Sequence, residues 1–171
     1  GQHDMGTGQA GGEVAVALVG DDDRGTGLGD QKVGPGDAEI GLSVCASRPD
    51  RVFAAVSARP QENGLYRSDD RGASWHRVNP VSASKVRCDP NDPERVYVLT
   101  DGEGVSSDGG RTFTSPYKDS RVHVDQQAMW IDPNDSDHLY LGGDAGLHES
   151  YDRGRTFRKM NNIPIAQFYA I

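Results

Sequence analysis

Apolar residues along the chain fall in short runs broken by Gly, Pro, Asp and Asn, and no long stretch carries helical spacing. The pattern predicts an all-β meander. Three segments align on one another with a period of about forty residues, the range of propellers and solenoids. The first reads IGLSVCASRPDRVFAAVSA followed by NGLYRSDDRGASWHRV. The second reads VRCDPNDPERVYVLTDGEGVSSDGGRTFTS, and the third AMWIDPNDSDHLYLGGDAGLHESYDRGRTFRKM. Each has four parts: an apolar strand ending in a Pro/Asp/Asn turn, a β-rich strand, a short Gly-led strand entering a polar turn, and a last strand opening on an aromatic residue. The β-rich strands are predicted at 51–58, 95–100 and 138–142.

The polar turns run Ser68 to Trp75, Ser106 to Phe113 and Ser150 to Phe157, and all fit SxDxGx(S/T)(W/F). Asx chemistry accounts for them: Asp70, Asp108 and Asp152 can accept from N–H groups of their own turns. Gly72, Gly110 and Gly154 supply a positive φ that a Cβ resists. Ser68, Ser74, Ser106, Thr112, Ser150 and Thr156 offer hydroxyls that tie the strands together. Trp75, Phe113 and Phe157 are expected to return to a core between sheets. A calcium cage is disfavoured, because Ser68 to Trp75 offers too few convergent oxygens.

Composition narrows the function. A formal charge of −8 disfavours nucleic acid or an anionic membrane surface as the main partner. The apolar run Val14 to Val19 is too short to span a membrane and lacks the basic flank of a signal peptide. Cys45 and Cys88 carry no metal-ligand spacing and are expected as small, free, buried residues. Residues 1–37 are Gly/Asp-rich, with a strand only at 13–20, and read as a lead or a degenerate preceding blade. Asp21, Asp22 and Asp23 read as a solvated loop. GTGLGD lacks the Lys and the helix of a phosphate loop. No cofactor and no metal are expected.

The three turns resemble those of the Asp-box, or BNR-repeat, β-propellers: sialidases, xyloglucanase-type glycoside hydrolases, sortilin-type receptors and secreted bacterial proteins. The resemblance covers residues 38–171 and is nearest to sortilin-like bacterial proteins carrying glycosyl-hydrolase labels. It implies three blades at about 38–80, 81–120 and 121–163, with 167–171 opening the next. It implies that the boxes lie on the blade periphery, away from the mouth, and that the protein is extracellular or periplasmic. Three blades leave two open sheet edges, so the chain is expected to belong to a larger ring or assembly.

His123 and Asp125 share a face of an extended strand before an apolar run. The resemblance implies HxDHH or HxDQH here, so His123 and Asp125 match, Gln127 stands where relatives carry histidine, and Gln126 departs only from the first of the two patterns. That weakens a transition-metal site. Asp144, in LGGDAG, could complete a polar cluster with His123 and Asp125; as a turn Asp it needs no such role. Met129 and Trp130 are expected in the core between blades, and a glycan role for Trp130 requires exposure. Arg51, Arg95 and Arg121 are expected as surface charges, with no arginine triad of the sialidase kind. No carboxylate pair stands out as catalytic. The leading expectation is a binding or scaffold module for a glycan, peptide or protein; the alternative is a glycoside hydrolase whose catalytic set is incomplete in this chain.

Overall fold

The computed structural model describes residues 39–58, 60–99, 104–115, 122 and 125–163. The expectations for residues 1–37, His123, Arg121 and the strand at 167–171 lie outside them. All regular segments among the described residues are β-strands, in three antiparallel sheets. The first sheet runs in order through β1 (Glu39–Val44), β2 (Val52–Ser57), β3 (Gly64–Ser68) and β4 (His76–Asn79). The second is β5 (Lys85–Cys88), β6 (Val96–Leu99) and β7 (Val105–Ser106), extended by a bridge from Val105 to Thr114. The third is β8 (Gln126–Asp132), β9 (Asp135–Gly143), β10 (Gly146–Ser150) and β11 (Arg158–Lys159).

Strand alternation gives each sheet two faces, and the sheets stack through them. Phe53, Ala55 and Leu65 of the first sheet meet Val86, Cys88, Val96 and Val98 of the second. Tyr97, Leu99 and Val105 on the far side of the second meet Met129, Ile131, Leu139 and Leu141 of the third. Phe113 packs against the first cluster and Phe157 against the second. Trp75 joins neither and donates its indole N–H to the Gly72 carbonyl at 3.0 Å.

The three polar turns have one geometry. Ser68, Ser106 and Ser150 each accept from the glycine N–H four residues on, at 2.8, 2.9 and 2.9 Å, and donate to the turn aspartate. Each aspartate accepts from the N–H and the hydroxyl of Ser74, Thr112 or Thr156. Gly72, Gly110 and Gly154 have φ of 90°, 86° and 80°, and the preceding Arg71, Gly109 and Arg153 are left-handed as well. The Ser68 and Ser74 hydroxyls hold the Asp70 carboxyl down at about 2. Thr112 leads the same effect on Asp108, also at about 2.

Two expectations are corrected. Cys45 and Cys88 are not free thiols; they form a disulfide between the first and second sheets, with Cα atoms 5.3 Å apart. The repeat brings them together, since each lies at the same end of an innermost strand. The Ser43 hydroxyl accepts from the Cys88 N–H at 2.9 Å beside them. Arg51 is not a surface charge: it is 3% exposed, donates to Asp69 at 2.7 Å and to the Pro93 carbonyl at 3.0 Å, and pairs with Glu94. Arg95 reaches the Tyr97 hydroxyl at 2.7 Å and the Arg153 carbonyl at 3.0 Å. Both arginines therefore join neighbouring sheets.

Candidate functional site

The innermost strands β5 and β8 start side by side, and a polar crevice of about 250 Å³ opens between them. Its polar lining comes from Ser57, Ser82, Ser84, Lys85, Asp125, Gln126 and Gln127, so three different sheets or their connections build it. The Lys85 ammonium donates to the Gln127 side-chain carbonyl and fixes the two strand starts to each other. Two residues further on, the Arg87 guanidinium donates to the Met129 carbonyl at 3.0 Å.

Asp125 enters β8 with φ of 66°, the left-handed region that a residue with a Cβ rarely adopts. Its carbonyl lies against Gly143, where an added Cβ would stand 2.7 Å from that oxygen. The close approach follows from the register, in which Gln126 pairs with Gly143 across a bulge. The structure thus brings Asp125, Gln126 and Gln127 to the crevice, Gln126 being buried and Gln127 half-buried. Asp144 does not line it; Asp144 Oδ1 is buried without a hydrogen-bond partner. His123 lies outside the described residues. Among them, no group of three His, Cys, Asp or Glu is placed to hold a metal.

Lys85, Ser57 and Ser84 were not singled out from the sequence. For Lys85 and Ser84 the signal was their place in the repeat, where 84–86 align with 127–129 at the opening of a sheet's first strand; Ser57, at the end of β2, carried none. Chemically, the crevice offers hydroxyls, two amides, one ammonium and one carboxylate. That donor and acceptor set suits a hydroxyl-rich ligand.

A second polar group lies on the third sheet. Glu149 is 4% exposed and accepts from the Tyr140 hydroxyl at 2.9 Å and the Tyr151 hydroxyl at 2.8 Å; it also contacts His138 Nε2 at 3.2 Å and pairs with Arg158. The Arg158 guanidinium, followed by the Tyr151 hydroxyl, holds its carboxyl at about 2. Tyr151 stacks on His138 with centroids 4.6 Å apart, and Trp130 packs against Tyr140 and His138. Trp130 corrects the expectation of a core residue: Met129 points into the second cluster, while its neighbour Trp130, on the opposite face, is 38% exposed.

The stacked four-part sheets, each joined to the next through its innermost strand, have counterparts among solved structures. Over 75% of its length the chain superposes on the GH74 enzyme of Niastella koreensis with a TM-score of 0.62 at 17% identity. These sheets are β-propeller blades. The GH74 xyloglucanase of Xanthomonas campestris matches 74% of the chain with a TM-score of 0.56 at 16% identity. By sequence, the chain is 29% identical over 133 residues to the oligoxyloglucan-reducing end-specific xyloglucanase of Emericella nidulans, which covers 64% of this chain. The chain spans 16% of that enzyme, and 23% and 24% of the two solved ones. No protein-family profile matches it.

Proposed function

We propose that these blades form part of a larger glycoside-hydrolase-like propeller acting on a xyloglucan-type polysaccharide, and that the crevice at Asp125 contacts the saccharide. The observation that carries the reading is the crevice itself, a polar recess lined from all three blades, by the end of β2 and the starts of β5 and β8. The likeness to xyloglucanases supports the ligand class. This reverses the order of the two readings weighed from the sequence, where a non-catalytic binding module stood first.

Cleavage of a glycosidic bond uses two carboxyl groups flanking it. Among the described residues lining the crevice only Asp125 is a carboxylate. Asp125 is therefore assigned one wall of the site, and the partner carboxyl comes from another blade. A disulfide between blades also fits a protein made in an oxidising compartment, in keeping with an extracellular or periplasmic place.

The test is steady-state hydrolysis of xyloglucan oligosaccharides by the full-length protein carrying Asp125→Asn or Lys85→Ala. A catalytic Asp125 lowers kcat by about 100-fold or more, whereas a positioning role raises KM with kcat retained. Unchanged kcat and KM in both variants would remove the crevice from the site.

A further inference from the structure

The innermost strands of neighbouring blades meet in two different ways, and the difference falls on equivalent residues. Val44 pairs with Val52, Cys88 with Val96 and Ile131 with Leu139, so Gly41 and Lys85 hold one position of the repeat, Ser43 and Arg87 another, and Ser84 and Gln127 a third. Along β5, Val86 and Cys88 pack back on the first blade, which leaves Lys85 and Arg87 facing the third. Gly41 and Ser43 face the second blade in the same way.

At the first joint, between β1 and β5, these positions carry small residues and the strands touch. A Cβ added at Gly41 would stand 2.3 Å from the Ser84 carbonyl oxygen and 3.0 Å from Lys85 Cα, so backbone lies against backbone. Two residues on, the short Ser43 side chain accepts from the Cys88 N–H at 2.9 Å. At the second joint, between β5 and β8, the same positions carry long side chains. Lys85 reaches across to the Gln127 side chain, and Arg87 to the Met129 carbonyl at 3.0 Å. There β5 and β8 stand a side chain apart, and the crevice of about 250 Å³ occupies that space at the level of Lys85 and Gln127.

We infer that Lys85, with Arg87 behind it, is the spacer that opens the saccharide crevice, a specificity-determining residue whose length sets how bulky a sugar enters between β5 and β8. The inference rests on the proposed saccharide site and goes beyond it by naming what creates the recess. Both cations end on neutral oxygens, and among the described residues neither is paired with a carboxylate, so the second joint uses their reach and not their charge. The aliphatic stem of Lys85 keeps the strands apart while its ammonium, anchored on the Gln127 carbonyl, holds the stem across the gap. With glycine and serine in these two places, β8 closes on β5 as β5 closes on β1, and no space for a ligand is left between Ser84 and Gln127.

The experiment determines crystal structures and steady-state kinetics of two variants of the full-length protein. Lys85→Gly/Arg87→Ser gives the second joint the residues of the first; Lys85→Met keeps the length of the spacer and removes its charge. Expected for the double variant is β8 drawn onto β5, loss of the crevice, and a KM for xyloglucan oligosaccharide raised about tenfold while kcat is retained. Lys85→Met should keep the crevice open and raise KM less. A crevice that stays open in the double variant overturns the inference. So does one that closes in Lys85→Met, because charge and not length then held it open. Lys85→Met nearly conserves volume at a half-buried position, so its structure decides the matter even where the double variant does not fold. A closed crevice with unchanged KM supports the spacer and removes the saccharide site, so the two readings fail separately.

Discussion

The Cys45–Cys88 disulfide closes a loop of 43 residues that contains most of the first blade and the connection into the second. Cross-linking that separation removes chain entropy from the unfolded state by about 13 cal/mol/K, or about 4 kcal/mol at room temperature. For a protein of this size each kcal/mol moves the thermal midpoint by about 2–4 °C, so reduction should lower it by about 8–16 °C. The assay is thermal unfolding followed by circular dichroism, with and without dithiothreitol. Reduction of the native chain is the cleaner arm, because the two thiols fill nearly the volume of the bridge. Replacement of both cysteines by alanine adds a cavity cost in a cluster where Cys45 is fully buried. The reduced protein and the Cys45→Ala/Cys88→Ala variant should therefore both fall, the variant further. A midpoint that stays within about 2 °C on verified reduction would show that the first two blades are held without help from the bridge, and would refute the entropy argument.

Other substitutions test single contacts. Gly110→Ala places a Cβ 2.5 Å from Leu65 Cδ2 at a φ of 86°, combining backbone strain with overpacking, and should cost about 2–4 kcal/mol in urea unfolding. Arg51→Met removes a buried cation from beside Asp69 and Glu94 and should destabilise the first joint by about 3 kcal/mol; Glu94→Gln, which retains a side-chain acceptor, should cost less. Asp70, Asp108 and Glu149 are all held at about 2, below the ordinary 3.8 and 4.5. A depressed carboxyl contributes stability above its unfolded value and loses it as pH falls through its folded one, so the urea midpoint should drop between about pH 4.5 and 2. In Asp108→Asn that acid-dependent drop should be shallower, and an unchanged slope would show that the turn aspartates do not govern it.

The polar turns were legible because the bonds among their Ser, Asp, Gly and Ser/Thr positions close within a few residues, although the residue before each glycine also donates its N–H to a carbonyl of an earlier turn. Ser106, Asp108, Gly110 and Thr112 need only one another, so the pattern SxDxGx(S/T) specifies the shape wherever it occurs. The joints between blades were not legible, because their partners lie about one repeat apart. Lys85 and Gln127, or Arg51 and Pro93, meet only once two sheets are stacked. Trp130 shows the same limit from the other side: adjacent apolar residues on a strand face opposite ways, and placing both Met129 and Trp130 in a core assumes a blade covered on both faces.

The candidate site illustrates how two motifs that look independent in sequence become one piece of structure. From the residues alone, HVDQQ and LGGDAG each offered an aspartate, and the natural question was whether Asp125 and Asp144 converge on a ligand. The structure couples the two segments through Gly143 instead. Asp125 can hold its left-handed conformation, and keep its carbonyl against β9, only because position 143 lacks a Cβ. Gly143→Ala should therefore act on the crevice without touching any ligand: the 2.7 Å contact forces the start of β8 outward, carries Gln127 away from Lys85, and should weaken saccharide binding by the full-length protein. Asp144→Ala, outside the crevice, should leave binding unchanged, and equal losses in the two variants would return Asp144 to the site.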